Sequence, residues 1–176
     1  MKRIFSCFLL LLIMTSFVVT AYADFQNPAI VDDAGYLMQS ELASLSKELD
    51  EVREKYGFEV AIYTQSDMTS STAEASADDI YDYNGYGAGE NDDGIMLYIC
   101  SDTREYHFTT HGKGLKYFNA NGLAYLESKV VPHLSENDYY EAFEEYIETT
   151  DELLQMAKDG KPYNEKQYSM KYLFGV

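Results

Sequence analysis

Helical and extended patterns alternate along this chain, with one tight hairpin among them. That predicts an α/β domain, a mixed sheet between helical layers. Three observations carry the prediction. Residues 40–56 hold an apolar stripe at helical spacing. Residues 95–100 form a continuous apolar run, the mark of a central strand covered on both faces. Residues 104–110 alternate directly after a short turn, as the hairpin partner of that strand would.

Taken in order, residues 24–34 are expected to be a lead-in arm. The first helix follows, with Met38, Leu42, Leu45, Leu49, Val52 and Tyr56 recurring every three or four residues on one face. Gly57 ends it. Arg53 is expected on its exposed side. Val60, Ile62 and Tyr63 mark a strand over residues 58–64. Ala73, Ala77, Ile80 and Tyr81 give the inner face of a second helix, residues 72–83. Residues 85–94 form a loop with four glycines and the turn formers Asn91, Asp92 and Asp93. After the hairpin, a third helix covers residues 119–134, its regular part ended by Pro132. Asp138 starts a fourth over residues 138–158, with Tyr140, Phe143, Ile147 and Leu154 inward, and Gly160-Lys161-Pro162 closes it. The domain is therefore expected over residues 24–160, with residues 161–176 as a tail. Its apolar end, Tyr172-Leu173-Phe174-Gly175-Val176, suits either the threshold of a membrane anchor or a short tail that packs or frays.

The start of the chain points to export. Met1-Lys2-Arg3 is basic, residues 4–19 are almost wholly apolar, and Ala21-Tyr22-Ala23 supplies a small-x-small cleavage pattern. The apolar run is shorter than the roughly 20 residues a membrane span needs. Residues 1–23 are thus expected to be a signal peptide, and the rest to work outside the cytoplasm, secreted or tethered at the outer face of the membrane. Lys2 and Arg3 lie in that segment and no acid does, so cleavage moves the formal charge from −17 to −19. Only Cys100 would remain of two cysteines, so packing alone must hold the fold.

Such charge excludes a nucleic-acid partner, because no basic stripe exists to meet phosphates. Several catalytic patterns are also absent. Gly112-Lys113-Gly114 lacks the rest of a phosphate-binding loop. His107, His111 and His133 have no zinc spacing. No Gly-x-Ser-x-Gly elbow occurs. Cys100 ends the most apolar strand and is expected to be inert.

What remains is carboxylate. Asp32 and Asp33 precede the first helix, Asp92 and Asp93 precede the central strand, and Asp102 follows it. Oxygen ligands of this kind suit Ca²⁺ or Mg²⁺, and equally suit turns and helix starts. Asp102 is expected beyond the carboxyl end of a strand, where ligands collect in open α/β sheets, within reach of Asp33. Arg104 stands near this cluster, either as the partner of Asp102 or as a binder of phosphate oxygens.

Four segments in order resemble the TPM domain family. They are Asp32-Asp33-Ala34-Gly35-Tyr36-Leu37; Asn91-Asp92-Asp93-Gly94-Ile95-Met96-Leu97; Asp102-Thr103-Arg104 with Thr110-His111-Gly112-Lys113-Gly114; and Pro132-His133-Leu134 with Asn137-Asp138-Tyr139. The resemblance covers roughly residues 27–158. It implies a three-layer α/β/α sandwich with a mixed sheet of about four strands, usually exported and often tethered by a C-terminal helix. It further implies that some members bind Ca²⁺ and that acid phosphatase activity is attributed to some. Carried over, the cation ligands would be Asp32, Asp92, Asp93 and Asp102. Thr110-His111 replaces the usual Thr-Gly, and a Tyr stands where the second helix region usually has Trp. His111 could then serve as a general acid. Two functions are compatible with this. One is a calcium-binding, non-enzymatic module that assists membrane or envelope proteins through a tyrosine-rich surface; 17 tyrosines and no tryptophan suit protein contacts. The other is a metal-dependent phosphomonoesterase with Arg104 holding phosphate and His111 protonating the leaving group.

Overall fold

The computed structural model of the protein describes residues 25–164. The expected leader, residues 1–23, and the apolar end, residues 172–176, lie outside the described residues. In chain order the elements are β1 (Ile30–Asp32), α1 (Gln39–Tyr56), β2 (Glu59–Gln65), α2 (Ala73–Asn84), β3 (Gly94–Cys100), β4 (Glu105–His111), the single turn α3 (Gly114–Tyr117), α4 (Ala120–Glu136) and α5 (Tyr139–Lys158).

The strands form one sheet in the order β1-β2-β3-β4. The first three are parallel and β4 returns antiparallel beside β3. Every residue of β3 is buried, as a strand covered on both faces must be. Its side chains divide by the pleat. Ile95, Leu97 and Ile99 join Val60, Ile62 and Phe108 against α1, α4 and α5. Met96, Tyr98 and Cys100 join Ala61 against Ala73, Ala77, Ile80 and Tyr81 of α2. Three layers result, and the expected α/β/α sandwich is the observed one. Among the described residues no helix is long and apolar enough to cross a membrane.

Local chemistry sets the boundaries. Glu41 accepts the Met38 N–H at 2.7 Å at the start of α1, and Gly57 closes that helix at φ 58°. Thr72 accepts the Ala75 N–H ahead of α2. Asn119 accepts from Asn121 and Gly122 ahead of α4.

Past α5, Tyr163 is buried and stacks on Tyr125 at 4.6 Å. Three expectations need correction. The lead-in arm contains β1, which pairs with Ile62–Thr64 of β2. Pro132 does not end its helix; α4 runs through it to Glu136, held by its packing against α5. Arg53 is not exposed: it is among the most buried side chains of the described residues. It pairs with Glu59 at 3.0 Å and, at its rim, with Asp50 at 3.1 Å. It also donates to the Asn27 carbonyl and lies 4.2 Å from the Phe25 ring centre. Arg53 falls four residues after Leu49, so it shares the inward face.

Candidate functional site

The parallel strands place the candidate residues at two opposite ends of the sheet. At the carboxyl end, Asp32 closes β1. Its carboxylate accepts the N–H groups of Tyr36 at 3.2 Å and Leu37 at 2.9 Å, and the Thr64 hydroxyl at 2.6 Å. Thr64 in turn accepts the Ala34 N–H. The Asp-Asp-Ala-Gly-Tyr-Leu segment is thus a side-chain-locked turn on the end of β2. Asp33 is exposed, and its N–H donates to the Thr64 carbonyl. Asp102 is exposed in the hairpin turn, its N–H donating to the Ser66 carbonyl. Strand β2 lies between Asp33 and Asp102, and two strand spacings are about 9.6 Å.

Arg104 follows that turn in the left-handed region, at φ 59°. It is exposed and, among the described residues, forms no ion pair with Asp102 or any other acid. With Tyr36, Tyr139 and Leu134 it borders a recess of about 30 Å³, room for a single water. Tyr36 stacks on Tyr139 there at 3.6 Å. Burial raises the Tyr36 hydroxyl pKa, and Arg104 nearby partly offsets this.

At the amino end, Asp93 is buried just before β3. One of its oxygens accepts the Lys113 N–H at 2.7 Å and the other the Lys113 ammonium at 2.5 Å. That hydrogen bond and charge raise the Lys113 pKa. Gly112, at φ 56°, is required here because a Cβ would strike Asp93 Oδ1 and the Asn91 carbonyl. Asp92 is exposed in the left-handed region, and its carbonyl accepts the Tyr81 hydroxyl at 3.1 Å. A recess of about 270 Å³ opens beside Asp93 and Lys113, bordered by Lys158, Tyr56 and Tyr117.

His111 ends β4 at this same end, opposite Gly94. Its ring stacks on Tyr81 at 4.0 Å with 5° between planes. Nε2 lies 3.0 Å from the Thr109 hydroxyl, which is 2.5 Å from Asp78. Nδ1 lies 3.6 Å from Asp82. The partners of His111 therefore come from α2, which supplies Tyr81, Asp78 and Asp82, and from Thr109 of its own strand. In the sequence Tyr81 stands out only as an inward residue of the second helix, and Asp78, Asp82 and Thr109 do not stand out. The four-residue spacing of Asp78 and Asp82 on one helix was the available signal.

The five candidate carboxylates do not form one site. Asp32, Asp33 and Asp102 lie at one end of the sheet, Asp92 and Asp93 at the other. Among the described residues no three His, Cys, Asp or Glu side chains are placed to hold a metal ion. Both Asp32 oxygens and both Asp93 oxygens are engaged by donors of the chain itself. The residues present do not fit the calcium that the resemblance implies.

The profile of the TPM domain matches residues 30–153. The chain belongs to the TPM domain family. Solved structures agree in fold. The N-terminal domain of a P. gingivalis protein is 19% identical, with a TM-score of 0.65 over 78% of this chain and 88% of that one. The N-terminal domain of a Corynebacterium glutamicum protein is 14% identical, TM-score 0.60, covering 78% and 86%. A protein of the psychrophilic bacterium Bizionia argentinensis is 9% identical, TM-score 0.59, covering 74% and 87%. Identities this low speak for the TPM fold alone. Among curated proteins none matches significantly.

Proposed function

We propose that this TPM domain is an exported, non-catalytic module that assists membrane or envelope proteins by binding them. The observation that carries the reading is the separation of Arg104 from His111. They flank opposite ends of β4, a strand of seven residues. Six steps of about 3.4 Å separate its ends by roughly 20 Å. A phosphoryl group held by Arg104 could not have its leaving group protonated by His111. Export follows from the basic start, the apolar run and Ala21-Tyr22-Ala23. No resident calcium belongs to the reading, since the carboxylates are divided and engaged.

The test is an assay of the purified protein on p-nitrophenyl phosphate at acid and neutral pH, with and without millimolar Ca²⁺ or Mg²⁺, and a thermal melt in the same buffers. No turnover and an unmoved melting temperature are expected. Turnover lost in His111→Ala or Arg104→Ala would overturn the reading. A calcium-dependent rise in melting temperature, lost in Asp92→Asn/Asp93→Asn, would restore the cation.

A further inference from the structure

Strand β4 is an edge of the sheet, paired with β3 on one side only. Edge strands offer every second residue's N–H and C=O outward, and natural proteins guard them with Lys, Pro, bulges or brevity. This one has none of those guards. Its seven residues, Glu-Tyr-His-Phe-Thr-Thr-His, pair with β3 in one unbroken register from His111–Gly94 to Glu105–Cys100. Tyr, Phe and Thr favour extended backbone. Among the described residues no group outside the sheet bonds to the backbone of Tyr106–His111.

A groove of about 500 Å³ runs beside this edge, between Tyr106 and the α4 residues Glu127, Ser128, Val131 and Pro132. Pro132 has no N–H, so the Ser128 carbonyl lacks the donor four residues on that a helix would supply. The Ser128 carbonyl is therefore an acceptor without that donor, and both Ser128 and Glu127 line the groove. Glu105 stands exposed at the end of the strand. The nearby cation Lys129 is turned toward Glu145 at 3.9 Å. Carboxylates outnumber bases 30 to 13 over the whole chain.

We propose that the free edge of β4 takes an extended, cationic peptide segment of a partner protein as a fifth strand. The partner's backbone would pair with β4, and its apolar side chains would enter the groove. A lysine or arginine would donate to the Ser128 carbonyl and meet Glu127. The proposal rests on the binding-module reading above and names its partner by chemistry. A second copy of the same chain is a poorer occupant, since two bodies of this charge repel.

The probe is a fluorescein-labelled eight-residue peptide of alternating lysine and valine, read by anisotropy against the purified protein, with amide exchange followed in parallel. Saturable binding is expected, with exchange slowed in Glu105–His111. An alternating lysine–proline peptide has the same charge but too few N–H donors for a ladder; it should bind at least about tenfold more weakly. Glu127→Lys should weaken the valine peptide about fivefold or more. Pro132→Ala, which gives Ser128 an internal donor, should weaken it about two- to fivefold while leaving the fold intact. Equal binding of both peptides, or protection elsewhere than β4, would overturn the proposal. So would β4 amides already protected without peptide, whether by residues 165–176 in a monomer or by a second copy seen as doubled mass. Failure here without phosphatase turnover removes only the strand-addition proposal; turnover of p-nitrophenyl phosphate removes the reading beneath it.

Discussion

Replacing Arg53 by Met should be among the most damaging single changes at a polar position. The guanidinium meets both Glu59 oxygens, at 3.0 and 3.2 Å, and Glu59 is only 2% exposed. Removing the cation leaves a carboxylate that water cannot reach. Glu59 keeps a single backbone donor, Gly87 N–H at 3.4 Å. Breaking a buried pair from one side costs about 3–5 kcal/mol. The bridge to Asp50, an exposed residue, adds little. For the roughly 140 described residues the unfolding entropy is about 0.3 kcal/mol/K, so the melting temperature should fall by about 10–17 °C. Arg53→Met/Glu59→Met should recover most of this loss, because a buried ion pair gives little net stability over an apolar pair. Thermal melts of the two single variants and the double variant decide the matter. A fall below about 3 °C for Arg53→Met, or a double variant as unstable as the worse single one, would refute the reasoning.

Gly112→Ala should destabilise by about 2 kcal/mol or more, through positive φ and the clash with Asp93 and Asn91, measured by urea unfolding. Cys100 is fully buried, with its thiol donating to the Ser66 carbonyl at 3.0 Å; Ellman's reagent should leave it unmodified until the chain is unfolded. Burial pushes the Tyr86 hydroxyl up to about 12. The native state thus keeps a proton that the unfolded state loses near pH 10. Stability should be unaffected by this group below pH 10 and fall by about 1.4 kcal/mol per pH unit between 10 and 12. Other buried tyrosines, Tyr81 and Tyr146 among them, are raised in the same direction, so Tyr86→Phe should lessen the slope of the denaturation profile in that range by about this one group's share.

The layers of the fold were legible because periodicity was strong where burial is strong. Continuous apolarity in residues 95–100 marked a strand covered twice, and the stripe from Leu42 to Tyr56 marked a helix covered once. β1 was not legible: three residues, Ile30, Val31 and Asp32, are too few to show a period, and their extended form depends on β2. That omission also hid the division of the carboxylates. Asp32 follows a strand and Asp93 precedes one, so a parallel sheet sends them to opposite ends once β1 is counted. The charge of Arg53 suggests an exposed residue, whereas its position four residues after Leu49 puts it on the buried face. The Asp93–Lys113 pair joins turns 20 residues apart, and only the register of the β3–β4 hairpin brings them together. Pro132 reads as a stop by local propensity, but the neighbouring helix α5 sustains α4 through it.

The arm that begins the described chain is fastened entirely by residues that come later. Phe25 lies on Arg53, and Asn27 accepts from Arg53 and donates to the carbonyls of Asn84 and Gly85. Pro28 accepts the Tyr86 hydroxyl, and β1 pairs with β2. A chain emerging from its amino end, at a ribosome or a membrane pore, presents this arm first and secures it late. Nearly sixty residues must follow Asn27 before Gly85 is available to hold it. The hairpin of β3 and β4 needs no such wait, since its strands meet across four residues. Order of emergence and order of fixation thus run in opposite directions at this end of the molecule.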